Sequence, residues 1–253
     1  MQFNRFLRTN QHVVCIKYYL VTNFLLKEAL IVSKIRVVKK AAIFDIDGTI
    51  IKNISSERVL FRYLIEKRIV TSKDLLQLAS AFINNLLRLK GLYVRKNKYY
   101  LKNKEYEKIV STIKECFKER ISPHISIAAL NEIDRLKNEG YVIILLSGTL
   151  SPLVECFKKH CNADIGIGTN LFVNEAGRIT GEINGIHSYS SGKAKIIKRL
   201  VEEHNIDLSS SYAFANQYLD VKFMRMVGYP VAVNATPMLR FYANINRWKI
   251  IEF

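Results

Sequence analysis

Asp45-Ile46-Asp47-Gly48-Thr49 sets two carboxylates two positions apart, just past the apolar, strand-like run of "IRVVKKAAIFDIDGTI". Carboxylates so placed can divide their labour. One can attack as a nucleophile, and the other can give and take a proton. Gly48 permits the tight turn that holds them. A second polar strand end follows in "YVIILLSGT", where Ser147, Gly148 and Thr149 precede the helical pattern "SPLVECFKKHC". A small hydroxyl and main-chain amides at such a junction suit phosphoryl oxygens. A third site of charge is "SGKAKIIKRL", with Lys193, Lys195 and Lys198. The fourth is "AFANQYLD", after a short apolar strand pattern, where acidic metal ligands are expected. Asp220 is there, but Asn216 stands where a second carboxylate would be most useful.

The elements that must carry these residues can be read from periodicity. Strand and helix patterns alternate from about residue 121 onward, which predicts a doubly wound α/β core with a mostly parallel, Rossmann-like sheet. "YVIILLSGT" reads as a strand buried on both faces. "SIAALNEIDRLKNEG" and "SGKAKIIKRLVEEHNID" read as helices, "ADIGIGTNLFVNEAGRITGEING" as short strands around an Asn-Glu-Ala-Gly turn, and "DVKFMRMVG" as a helix between two strands. A helical block at 54–120 separates the first two core strands. It is too long for a simple connection, so an inserted cap is expected there. The organisation is then a basic amphipathic extension (1–36), a core (37–53 and 121–253) and a helical cap (54–120).

The 253 residues suit one large domain or a core with an insert, and 49% hydrophobic content is enough to bury a sizeable core. The formal net charge is +17. Residues 1–40 hold eight basic residues and one acidic residue, and residues 81–105 hold seven and one. Such stretches attract anions: phosphate esters, anionic lipid or nucleic acid. "VVCIKYYLVTNFLLKEALIV" is interrupted by Lys17, Lys27 and Glu28, and its uncharged run Tyr18 to Leu26 is too short to cross a bilayer. These three charges fall on one side of a helix, which fits a segment packed on its own fold or lying weakly on a membrane surface. Four cysteines without a CxxC pair point away from zinc and toward a reduced, cytoplasmic protein, possible membrane contact being peripheral.

The four motifs, in this order, resemble the haloacid dehalogenase superfamily, in its phosphoserine-phosphatase-like branch with a helical cap. The resemblance covers about residues 37–253 and extends to "NEAGRITGEING" and "VGYPVAVNATPMLRFYANINRW". It implies a Mg²⁺-dependent phosphomonoester hydrolase. Asp45 would form an aspartyl-phosphate, and Asp47 would serve as general acid and base. Ser147, with Thr49, Gly148 and Thr149, would bind the phosphoryl group. Lys193, rather than the runner-up Lys195, would balance charge. Asp45, Asp47 through its main-chain oxygen, Asn216 and Asp220 would form the metal site. The departures are Ala215 and Asn216, where the pattern has glycine and aspartate, and Gln217, where it has a small hydroxyl residue. They leave an alternative open: a weakened or inactive protein that binds a phosphate ester or an anionic lipid. The cap stretch "RLKGLYVRKNKYYLKNK" favours an anionic substrate, either a small phosphorylated metabolite or a lipid-headgroup phosphate. Nucleic acid is not expected as a partner.

Overall fold

The computed structural model describes residues 38–76, 98–185 and 191–253. The N-terminal extension and most of the basic aromatic stretch at 88–104 lie outside the described residues. Strand β1 (Ala41–Phe44) is wholly buried and occupies the centre of a seven-stranded sheet. The others are β2 (Val142–Leu150), β3 (Ile165–Val173), β4 (Ile179–Asn184), β5 (Tyr212–Ala215), β6 (Tyr229–Val233) and β7 (Lys249–Ile251). Their order is β4-β3-β2-β1-β5-β6-β7. All neighbours are parallel except the β3–β4 hairpin, whose turn contains Gly177 at φ 71°.

The helices are α1 (Ser56–Glu66), α2 (Tyr106–Cys116), α3 (Ile127–Asn138), α4 (Ser151–His160), α5 (Ser191–His204), α6 (Val221–Met224) and α7 (Pro237–Ile245). Helix α3 shows why the pattern folds so. Ser126 accepts a hydrogen bond from the Ala129 amide at its start, and Ala129, Ile133 and Leu136 line one buried stripe. Helix α6 is one turn long, shorter than "DVKFMRMVG" suggests, and a 3-10 turn at Tyr218–Asp220 leads into it. The sequence reading assigned no element to α7 or β7.

Two apolar layers sandwich the sheet. Phe44, Phe214 and Val231 face the layer built with α3 and α4. Ala41, Ile43, Ala213, Ala215 and Ala232 face the layer built with α5, α6 and α7. The Phe44 and Phe214 rings stack at 4.2 Å across β1 and β5. Since β2 and β5 flank β1 on opposite sides, the chain reverses its winding direction at β1. A crevice opens at the carboxyl ends of strands at such a point.

Between β1 and β2, α1, a helical stretch at 72–76, α2 and a π-helical turn at Phe117–Ile121 are described. The segment before α2 also lies along the sheet edge. The Lys98 amide donates to Gly181 O at 2.8 Å, the Asn103 amide to Ile179 O at 2.8 Å, and the Tyr106 amide to Gly177 O at 2.9 Å. Among the described residues no helix is long and apolar enough to cross a membrane.

Candidate active site

Asp45 is the first residue after β1, and its amide donates to Phe214 O of β5 at 2.9 Å. The backbone then folds tightly: the Thr49 and Ile50 amides both return to Ile46 O, at 3.1 and 2.9 Å, and the Gly48 amide reaches Ile51 O at 2.7 Å. Gly48 sits at φ 80°, where side-chain-bearing residues are strained. Space matters as well. A Cβ on Gly48 would lie 1.9 Å from Asn216 Nδ2, so the glycine makes room for Asn216. Asn234, itself at φ 45°, donates from Nδ2 to Gly48 O at 3.2 Å and accepts from the Phe253 amide at 3.0 Å. The main chain at Asn216 is held in turn by the amide and hydroxyl of Thr236, both donating to its carbonyl, at 3.0 and 3.2 Å.

Lys193 rises from the first turn of α5 into this crevice and is 3% exposed. Its Nζ donates to Asp45 Oδ1 at 2.6 Å and to Asp220 Oδ1 at 2.9 Å. Burial opposes the ammonium form. The charges of Asp45 and Asp220 outweigh it and hold the Lys193 pKa above its ordinary value. Burial raises the Asp220 carboxyl despite the pull of Lys193. Lys195 and Lys198 have no carboxylate within ion-pair distance among the described residues.

The Asp47 carboxylate meets the start of α1. Its Oδ1 accepts from the Ser56 amide at 3.0 Å and its Oδ2 from Ser55 Oγ at 3.4 Å. Asp47 therefore caps a helix whose own N-cap residue, Ser55, makes no side-chain capping bond. Burial pushes the Asp47 pKa up to about 6. Hydrogen bonding from the start of α1, through the Ser56 amide, holds it down, and the negative charges of Asp45 and Glu57 add to the rise. Glu57 forms an ion pair with the buried Lys98, a partnership that the sequence did not signal.

The register pairs Phe44 with Leu145, so Ser147 follows β2 into the same end of the sheet. Ser147 Oγ accepts from the Thr149 amide at 3.3 Å, so that amide is not free for a ligand. Thr149 offers its hydroxyl instead. Thr49 Oγ1, Ser56 Oγ, Thr149 Oγ1 and Asn216 Oδ1 are all buried without a hydrogen-bond partner. Buried polar groups are nearly always satisfied, so the three orphans in the motif segments, at Thr49, Thr149 and Asn216, point to an absent polar occupant. Gly148 is fixed through its carbonyl, which accepts from Thr169 Oγ1 at 2.8 Å.

The donor set also bears on a cation. Mg²⁺ takes hard oxygen ligands. Asn216, only 8% exposed, presents an unpartnered Oδ1 beside the turn that carries Asp45. These groups fit a hard divalent cation, with one negative charge fewer than a second carboxylate would give. No cluster of three or more His, Cys, Asp or Glu suited to a metal occurs among the described residues. Asp220 is engaged by Lys193.

The chain belongs to the haloacid dehalogenase-like hydrolases, whose family model matches residues 42–225. Within that family it falls in the phosphoserine-phosphatase-like branch and is a phosphatase. It is 26% identical over 208 residues to the phosphoserine phosphatase of Methanocaldococcus jannaschii, covering 82% of this chain and 91% of that one. It is 26% identical over 226 residues to the histidinol-phosphatase of Neisseria meningitidis serogroup C, covering 85% and 99%. Its fold is similar to that of a phosphoserine phosphatase solved as a phospho-aspartyl intermediate analogue. There the TM-score is 0.56 at 22% identity, over 85% of this chain and 93% of that one.

Sequence reasoning missed Asn234, Thr236, Ser55, Ser56 and the Glu57–Lys98 pair. The tail "VNATP" drew notice as part of the resemblance, but no periodicity tells that Asn234 reaches back to Gly48.

Proposed function

We propose that the protein is a Mg²⁺-dependent phosphomonoesterase that works through an aspartyl-phosphate on Asp45. The observation that carries the reading is the buried Lys193–Asp45 ion pair set among unpartnered hydroxyl and amide oxygens. One Asp45 carboxylate oxygen attacks phosphorus, and the bond from phosphorus to the ester oxygen breaks. Asp47, with its pKa at about 6, delivers a proton to the leaving oxygen. The resulting Asp47 carboxylate then takes a proton from the water that attacks phosphorus, which frees inorganic phosphate and restores Asp45. Ser147, Thr49 and Thr149 donate from their hydroxyls to the phosphoryl oxygens, and Lys193 offsets their charge. Asp45, the Asp47 carbonyl and Asn216 Oδ1 would hold Mg²⁺, which supplies further positive charge against the phosphoryl group. Asp220 completes the site by holding Lys193.

The proposal assigns residues 54–120 to a cap inserted between β1 and β2. The substrate is a small phosphorylated amino alcohol or amino acid, the class named by the two relatives. The Glu57–Lys98 pair, close enough for Glu57 to raise Asp47, offers both charges to such a leaving group. A lipid headgroup and membrane contact through 1–36 have no support among the described residues. The proposal includes a cytoplasmic location, in keeping with free thiols at Cys116, Cys156 and Cys161.

One observation favours a second reading, binding without turnover: the site has a neutral amide at Asn216. Phosphate release from phosphoserine, histidinol phosphate and phosphatidic acid separates the two. Turnover at millimolar Mg²⁺ that falls about 10³-fold or more in Asp45→Asn supports the enzyme. Binding with no release supports the second reading, and release unchanged in Asp45→Asn overturns the first.

A further inference from the structure

A cavity of about 600 Å³ opens at the amino-terminal ends of β5, β6 and β7 and extends along the face that carries Phe214, Val231 and Ile251. Its floor includes Tyr212 and Tyr229, the first residues of β5 and β6, which are paired in register. Strands rise about 3.3 Å per residue, so Tyr212 stands about 13 Å along the chain from Asn216. The groove follows from the winding. Helices α6 and α7 both pack on the Ala213 and Ala232 face, so α3 alone walls the other face over β5 to β7.

Two kinds of group meet there. Arg225, Arg247 and Lys249 line the cavity, and none has a carboxylate within ion-pair distance among the described residues. The cavity's carboxylate, Glu132, is already taken in fork geometry by Arg135, at 2.7 and 2.8 Å. The groove therefore presents uncompensated positive charge. Beside it runs an aromatic stack: Tyr212 lies 4.9 Å from Tyr229, at 28° between the rings. Tyr229 ends the row and is 50% exposed, so it can take a further planar ring.

Arg247 sits at an uncommon backbone position. It follows α7 at φ 55°, and the Trp248 amide closes the helix end by donating to Ala243 O at 2.8 Å. Glycine is the residue this motif favours, because any Cβ is strained there. The chain instead carries an arginine, one of the residues that line the groove, at a backbone cost.

We propose that this groove is a nucleotide-binding site, with the base stacked on Tyr229 and the phosphates on Arg225, Arg247 and Lys249. Its volume is within the range of small-ligand pockets. The proposal stands apart from the phosphatase reading, since none of the residues assigned to that chemistry lines the groove.

Arg247→Gly provides the test, because this substitution relieves the strained position rather than breaking a contact of the fold. Calorimetry is run without divalent cations in an Asp45→Asn background, which removes turnover from the measurement. The probes are ADP, adenosine and inorganic pyrophosphate. ADP is expected to bind, with adenosine and pyrophosphate each weaker. Arg247→Gly should weaken ADP about tenfold, as loss of a charge-assisted contact does, while the melting temperature stays level or rises. Lys249→Gln should weaken ADP in the same direction, and this second variant decides the matter if Arg247→Gly melts early. Absence of ADP binding at 5 mM overturns the proposal. So does equal ADP binding by the native chain and both variants, which would locate ADP at the crevice of Asp45. Pyrophosphate binding as tightly as ADP overturns the role of the ring.

Discussion

At Asn216 an amide oxygen stands beside the turn that carries Asp45, where a carboxylate would add a second negative charge. Its Oδ1 has no partner, and its Nδ2 occupies space that Gly48 leaves open. Asn216→Asp should lower the Mg²⁺ concentration for half-maximal activity about tenfold, since an added charge strengthens a hard-cation site. The Mg²⁺-induced rise in melting temperature should grow in parallel. An unchanged Mg²⁺ dependence in both would remove Asn216 from the metal site. Asp47 makes a separate prediction. Its pKa is raised to about 6, so the protonated acid needed for the first step is lost as pH rises through that value. The kcat/KM profile should fall above about pH 6, with a slope of about one proton, and Asp47→Asn should lack this limb. A profile flat from pH 5 to 8 in the native protein would refute the assignment.

At the scale of elements, the site depends on how closely the strand ends approach one another. Gly168 in β3 is an example. A Cβ there would lie 2.7 Å from Ser151 Cα and 2.8 Å from Thr149 O, both of them backbone. The clash cannot be relieved by rotating a flexible side chain. Gly168→Ala should therefore destabilise the fold by about 1–3 kcal/mol, in the range for overpacking, and displace Thr149. Denaturant unfolding together with KM for the phosphoester measures both effects. A variant with native stability and native KM would show that the β2–α4 junction yields freely. Helix α1 is tied to the chemistry in another way. Asp47 caps its first turn, so the described part of the proposed cap begins on the very carboxylate assigned to proton transfer.

On the scale of the whole molecule, Lys39–Phe253 forms one compact unit that contains every residue assigned to the site. The family match at 42–225 falls inside it. A chain that begins at residue 37 should keep kcat/KM within about twofold of the full chain, as expected of a unit with its own core. Loss of activity with retained melting temperature would instead give residues 1–36 a part in the reaction. In the described part of the basic stretch, Lys98 and Lys104 are spent on Glu57 and Asp74. Arg225, Arg247 and Lys249, far apart from it in sequence, have no carboxylate within ion-pair distance among the described residues.

The sequence by itself determined what local chemistry can write. The Asp45–Thr49 turn, the apolar strand before Ser147, the helix that starts at Lys193's turn and the alternation of strand and helix are all decided by neighbours within a few residues. That was enough to lay out alternating strands and helices along the chain and to name candidate residues for the sheet's carboxyl end. Only the tertiary structure shows the contact of Lys193 with Asp45, which spans 148 positions, although the resemblance singled out Lys193 among three nearby lysines. It alone turned Asp220 toward Lys193, brought Asn234 to Gly48 across 186 positions, and set Glu57 against Lys98. The helix at α7 and the strand at β7 also escaped local reading, since short elements at a sheet edge are held by partners more than by propensity. Asn216 shows both limits: the sequence displays the missing carboxylate, and packing alone gives its oxygen no partner but an absent one.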